Sequence, residues 1–351
     1  MLYVLTSGGD APGMNAALHA LVKLAAQHGL KTVGVESGYT GLIEGRFRPL
    51  TPRDVDAISH FGGTVLGSAR STEFRTEAGR AKAAKNIKDA SGLVVIGGNG
   101  SLTGALALLK EHGVPVVGIP ASIDNDIGCT STAIGVDTAL NTIVSACDRI
   151  SDTARAHRRV FIVEVMGRHC GYLAMASSVA AGADACLFRE QGKDQATMVR
   201  ELKGVVDGVA DDTGEGKKRI LIIKAEGVQV PTTGLVDALQ DYVDERHPGV
   251  TVRATVLGHL VRGGNPSYLD RMVAGRFANG ALMALNASRT GVMTGWQPWH
   301  TEGGASTQDP SIWHFPLQQV IDHTDALLDG SSPVTQRRVK MMSAIAGVLS
   351  V

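Results

Sequence analysis

The chain has 351 residues, of which 44% are hydrophobic and only 4% aromatic, with 34 basic side chains against 34 acidic ones. Balanced charge excludes a global field suited to nucleic acid or to an anionic membrane, and no run of about 18 apolar residues exists to span a bilayer. The length predicts about two lobes, each with a core filled by Val, Ile, Leu and Ala.

The first apolar run, LYVLT (2–6), lacks a basic flank and is too short for a secretion signal, so it predicts a strand in a cytoplasmic protein. Cys129, Cys147, Cys170 and Cys186 have neither CxxC spacing nor dense pairing and read as reduced thiols. Helix 14–28 and strand TVGVE (32–36) follow. Helix 76–90 precedes GLVVIGG (92–98), helix 101–112 and PVVGIP (115–120). A long helical stretch, 131–156, leads to VFIVEV (160–165), helix 171–181, ACLF (185–188) and helix 194–211. RILIIKAE (219–226), helix 233–246, TVRATVLG (251–258) and helix 267–288 complete the alternation. Strands that are apolar throughout and separated by helices indicate parallel sheets covered on both faces, hence an α/β fold of two parallel-sheet lobes. The expected division is 1–140, 141–295 and a C-terminal segment, 296–351, packing back on the first lobe. Residues 296–316, which hold all three Trp, read as irregular surface structure, and 334–349 as a last helix.

In open parallel sheets, ligands bind where loops and helix N-termini converge at the carboxyl ends of strands. Three such ends stand out: TSGGDAPGMNAA (6–17), GGNGS (97–101) and IPASIDNDI (119–127), the last presenting Asp124 and Asp126. Each alone reads equally as a tight turn or a solvated Asx turn; together they could line one phosphate crevice. None matches the Walker A or dinucleotide pattern. Arg70 and Arg75 lie in or beside a glycine-rich loop, Arg159 and Arg168 flank one strand, and Arg253, His259 and Arg262 surround another strand end. Arginine forks suit phosphate oxygens, and in a charge-neutral chain such placement fits a protein that binds two phosphates.

LTSGGDAPGMNAA, GGTVLGSAR, VVIGGNGS, SIDNDI, VEVMGRHCGY and RATVLGHLVRGG occur in this order over about residues 2–275 and resemble the phosphofructokinase family. The resemblance implies two α/β lobes with the active site in the cleft between them, usually in tetramers. It implies transfer of a phosphoryl group to the 1-hydroxyl of fructose 6-phosphate. Asp124 then corresponds to the general base, Ser122 to a family Thr beside it, and Arg168 and Arg70 to groups that stabilise charge on the transferred phosphoryl. Met166, Gly167, Glu226, His259 and Arg262 match the sugar-phosphate pocket, with Arg159 and Arg253 donated from a neighbouring subunit of a homo-oligomer. Gly9, Tyr39, Arg70, Arg75, Asn99, Gly100, Ser101 and Gly104 match the phosphoryl-donor side, and Asp126 and Asn99 the surroundings of a Mg²⁺ ion.

The sequence departs from the family at a few of these positions. Asn99 replaces the usual Asp, which removes a charge from the metal's surroundings while leaving an oxygen that can still accept. Gly100 and Ala121 are small where pyrophosphate-using members carry Asp and Lys, which favours ATP as donor. Pyrophosphate is the second reading, and a catalytically impaired sugar-phosphate-binding regulatory subunit the third. His19, Lys23 and Arg53 keep part of a basic cluster that the family uses for effectors, but Ser151 replaces an expected Arg.

Overall fold

A computed structural model describes residues 1–209, 219–297 and 304–345. The ends expected at 211 and 349 for two helices, and Trp299, lie outside the described residues. The first part of the chain forms β1 (Leu2–Ser7), α1 (Met14–Gln27), β2 (Thr32–Val35), α2 (Gly38–Glu44), β3 (Phe47–Leu50), α3 (Glu77–Asn86), β4 (Gly92–Gly97), α4 (Asn99–His112) and β5 (Val116–Pro120). The middle forms α5 (Val136–His157), β6 (Arg159–Val165), α6 (Tyr172–Ala180), β7 (Ala185–Leu187), α7 (Gln195–Val209), β8 (Arg219–Ala225), α8 (Thr232–Arg246) and β9 (Thr251–Val256). The last part forms α9 (Tyr268–Asn286), β10 (Val292–Trp296), β11 (Ala305–Ser306), β12 (Ile312–Pro316), α10 (Leu317–Asp329) and α11 (Pro333–Ala344).

The chain divides into two compact units: residues 1–138 with 262–326, and 139–261 with 327–351. Among the described residues of the first unit, one sheet runs in the order β11-β12-β10-β5-β4-β1-β2-β3. Its centre is parallel, and β3, β11 and β12 pair antiparallel at the edges. Every residue of β1, β4 and β5 is buried, as a parallel sheet covered on both faces requires. Helix α1 supports this sheet through Met14, Leu18, Leu21, Val22 and Ala25, an apolar stripe at helical spacing. The second unit holds the sheet β7-β8-β6-β9, parallel throughout. Its edge strand β9 leaves Arg253, Ala254 and Val256 exposed.

Residues 262–295, expected in the second lobe, belong to the first unit, because α9 packs on α1 and β5. The buried Asp270 at the start of α9 anchors it. Its carboxylate accepts the N–H groups of Gly135 and Thr138, each at 2.8 Å, and the Thr138 hydroxyl at 2.5 Å. The segment 296–316 is not irregular where it is described: β12 pairs with β10, with Trp313 and Phe315 buried. The C-terminal segment is itself shared, 304–326 going to the first unit and 327–345 to the second.

Cys147, Cys170 and Cys186 are buried. Burial pushes the thiols of Cys129 and Cys186 up to about 12 and that of Cys147 to about 11, so these three stay protonated at neutral pH. Among the described residues, no helix is long and apolar enough to cross a membrane.

Candidate functional site

In the first unit, β5, β4 and β1 are neighbours, and their registers align Ser7 with Gly97 and Gly97 with Pro120. Three turns therefore leave the sheet at one level. They are packed so closely that side chains are excluded: a Cβ on Gly97 would stand 2.4 Å from the Ser7 carbonyl oxygen and 2.8 Å from Ser101 Cβ. Gly8, at φ +89°, turns the chain away from β1 in a conformation that favours glycine. The Ala121 N–H donates to the Gly97 carbonyl at 3.0 Å and extends the contact between the β4 and β5 ends.

Asn99 opens α4 after the extended Gly98, and no side chain caps the helix. Its first N–H groups lack intrahelical acceptors and lie at the positive end of the helix dipole, an arrangement suited to phosphate oxygens. Space is available beside them, since a Cβ on Gly100 would meet nothing within 4 Å. In the β5 turn, Ser122 Oγ donates to Asp126 Oδ1 at 2.8 Å. The buried Asn125, at φ +49°, donates to the Ser131 carbonyl at 3.1 Å. That pivot sets the half-buried Asp124 and Asp126 on either side of it.

The glycine-rich loop at 61–68 is tied over the first turn by residues that the sequence reading did not single out. Asn15 donates to the carbonyls of Phe61 and Gly62, each at 3.1 Å, and accepts the Val65 N–H at 2.9 Å. Ser68 Oγ donates to the Gly8 carbonyl at 2.5 Å. His19 and Lys23 interrupt the same helix, so no local signal singles Asn15 out. Two residues further on, Arg70 is exposed, as is Arg75. Tyr39 is buried: its hydroxyl donates to the Ser101 carbonyl at 2.6 Å and its ring stacks on Phe74 at 3.8 Å. Burial raises its phenol far above the ordinary value. A Cβ on Gly104 would come within 2.9 Å of Phe74 and 3.1 Å of Tyr39. Tyr39 and Phe74 thus pack against α4 at Gly104. Arg262 lies in this unit too, donating to the Asp10 carbonyl at 3.2 Å with its guanidinium over Gly9.

The second unit gathers a different set. Glu226 N–H donates to the Val165 carbonyl at 2.8 Å and Gly227 N–H to the Gly167 carbonyl at 3.3 Å, which joins the loops after β6 and β8. Gly167, at φ +127°, could not carry a side chain, for its Cβ would be 2.6 Å from the Cys170 carbonyl oxygen. Met166 is buried and Arg168 exposed, and Arg168 and Glu226 line a cavity of about 720 Å³. His259 is exposed on a short turn, Gly258–Arg262. Arg159 stands at the opposite end of β6, about 20 Å from Val165 at the rise of a parallel strand. Arg253 is exposed on β9 and donates to the carbonyl of its neighbour Val252. The second unit therefore does not bring Arg159 to its own Arg168.

Among the described residues, no three His, Cys, Asp or Glu side chains cluster to hold a metal. Asp126 and Asn99, on adjacent strand ends, fit an ion held mainly by a ligand's phosphates and water. Of the basic cluster near α1, Lys23 pairs with Asp56 at 2.5 Å and His19 Nδ1 meets the Val55 carbonyl at 2.6 Å. In the second unit, Arg219 donates to Ser151 Oγ at 2.7 Å.

Glycine turns after β1 and β4 and an Asp-bearing turn after β5, beside an uncapped helix N-terminus, define an α/β protein whose neighbouring parallel strand ends suit phosphate. The family model described as Phosphofructokinase matches residues 1–285. An ATP-dependent 6-phosphofructokinase of Thermotoga petrophila is 47% identical over 300 residues, covering 84% of this chain and 89% of that protein. ATP-dependent 6-phosphofructokinase 1 of Thermus thermophilus is 45% identical over 295 residues, covering 83% and 88%. The solved structure of phosphofructokinase from Saccharomyces cerevisiae superposes with a TM-score of 0.81 at 32% identity, covering 96% of this chain but 47% of the yeast chain. This chain thus spans about half the length of that one. It belongs to the phosphofructokinase family.

Proposed function

We propose that this protein transfers the terminal phosphoryl group of ATP to the 1-hydroxyl of fructose 6-phosphate, giving fructose 1,6-bisphosphate and ADP. The observation that carries this reading is the meeting of three strand-end turns around open space at Gly100. The names of the relatives from Thermotoga and Thermus support ATP as donor.

In this reading the first N–H groups of α4 and the turn at Gly8-Gly9 receive the donor's phosphates. Asp124 takes the proton of the 1-hydroxyl as that oxygen bonds to the terminal phosphorus and the bond to ADP breaks. Ser122 holds Asp126 through its hydroxyl and so keeps the loop that carries Asp124 in place. Asp126 and Asn99 would hold a Mg²⁺ ion, which supplies charge neutralisation on the donor phosphates. Arg168 and Arg70, both exposed, supply positive charge to the transferred group. Met166, Gly167, Glu226, His259 and Arg262 bind the sugar phosphate. The distance of Arg159 from Arg168 along β6 supports a homo-oligomer in which Arg159 and Arg253 serve a neighbouring copy's site.

The test is product formation from fructose 6-phosphate and Mg²⁺ with ATP or pyrophosphate in parallel. Fructose 1,6-bisphosphate from ATP is the expected result. Product from pyrophosphate alone would overturn the donor, and no product with either, while fructose 6-phosphate still binds, would overturn catalysis.

A further inference from the structure

Two charged side chains stand on the buried face of the second unit's sheet. On one face β6 presents Val160, Ile162 and Glu164, and β8 sets Ile220, Ile222 and Lys224 opposite them in register. The first two of each strand belong to the unit's apolar core, so the pair Glu164–Lys224 occupies the last layer before the strands end. Lys224 is 1% exposed, and its Nζ donates to Glu164 Oε2 at 3.0 Å. The same oxygen accepts the hydroxyl of Thr232, the first residue of α8, whose dipole favours a carboxylate at that end.

A buried ion pair is poor evidence for stability, because desolvation offsets its attraction and apolar residues of similar volume often serve as well or better. Its location is more informative. Lys224 stands two residues before Glu226, and Glu164 stands two before Met166 and four before Arg168. The loops that follow are joined by the bonds from Glu226 N–H and Gly227 N–H. Glu164, Arg168, Lys224, Glu226 and Thr232 all line the cavity of about 720 Å³.

We infer that Lys224 is a positioning residue for the sugar-phosphate loops, an inference that rests on the reading of these loops as the fructose 6-phosphate site. By holding Glu164 against the start of α8, Lys224 fixes the register in which residues 165–168 and 225–228 leave the sheet. It acts through Glu164 and Thr232 without touching the sugar. Removing the lysine alone would leave the partly buried Glu164 carboxylate without its cation and cost stability for that reason, so the pair must be exchanged together.

The experiment compares the full-length protein with a Lys224→Leu/Glu164→Met double variant, measuring thermal midpoint and KM for each substrate. The expected result is a midpoint near that of the wild type, an unchanged KM for ATP, and a KM for fructose 6-phosphate raised about tenfold, as small misplacements of binding groups produce. An unchanged KM for fructose 6-phosphate overturns the inference. Thr232→Val, which keeps the shape and loses the hydroxyl, tests the same network without disturbing the charges. It should raise that KM several-fold and Thr232→Ser should restore it; no change in Thr232→Val overturns the inference even where the double variant fails to fold. Absence of fructose 6-phosphate turnover in the wild type discards the reading of the site and this inference with it. Wild-type turnover with unaltered variants discards the role of Lys224 alone.

Discussion

Asp124 and Asn99 stand on neighbouring strand ends, and the proposed reaction gives them different work. Asp124 is half-buried beside the Asn125 pivot, and the proposed reaction uses it as the general base. Replacing it with Ala should lower kcat by about 10²–10⁴-fold, the usual contribution of a positioned base, while leaving the binding of fructose 6-phosphate intact. Steady-state rates with a parallel calorimetric titration of the sugar phosphate check this, and an unchanged kcat would remove Asp124 from the mechanism. Asn99→Asp restores a carboxylate at the start of α4, where the dipole favours negative charge. The variant should reach half-maximal rate at lower Mg²⁺ than the wild type, read from a metal titration at saturating ATP. Equal midpoints would mean that residue 99 does not face the metal.

At the scale of elements, Gly97 and Gly100, three residues apart, differ in what surrounds them. Gly97 closes β4 against β1, and an added Cβ would lie 2.4 Å from a backbone oxygen, which cannot give way cheaply. Gly97→Ala should destabilise the protein by about 2–3 kcal/mol, in the range of overpacked sites. Gly100, in the first turn of α4, has open space, and Gly100→Ala should hold or raise stability by up to about 1 kcal/mol through helix propensity while weakening ATP. Chemical denaturation of the pair, with KM for ATP, separates crowding from ligand space. On β12, the buried His314 meets the Gly280 carbonyl through Nε2 at 2.8 Å and Arg289 through Nδ1 at 3.1 Å. Burial, with Arg289 acting the same way, holds its pKa below the ordinary value of 6.5. The unfolded chain therefore takes up this proton first, so the stabilising contribution is full above about pH 6.5 and falls away below it. Urea unfolding at pH 7.5 and 5.5 should show a smaller pH effect in His314→Gln than in the wild type.

The same elements show what the sequence could reveal. β1, β4 and β5 were legible because strands buried on both faces are apolar along nearly their whole length, and β6 and β8 because their centres, 160–163 and 220–223, are unbroken apolar runs. β12 was not, because its short run contains a histidine whose polarity is satisfied by Gly280, 34 residues away in sequence. Likewise the glycine turns of the site leave local marks, since positive φ and close approach restrict residue type. Asn15 and Lys224 leave none, since their partners at 61–65, 164 and 232 are chosen by the tertiary fold.

At the scale of the whole molecule, the chain leaves the first unit after Thr138 and returns at Arg262. Among the described residues, β12 covers the open side of β10 and buries Trp313 and Phe315. A chain stopped after residue 303 should therefore lose cooperative unfolding of the first unit, visible as a broadened thermal transition and binding of a hydrophobic dye; a sharp wild-type transition would show β12 to be dispensable. The interruption also orders events during translation. The strands of the second sheet have all been synthesised once residue 256 has left the ribosome, whereas β5 must wait about 170 residues for β10. At about 5–20 residues per second that wait is roughly 10–30 s, during which an apolar strand edge has no neighbour. Nascent chains of this protein are thus most exposed to chaperones and to mispairing along β5, and a slower passage through codons 257–292 would lengthen that exposure.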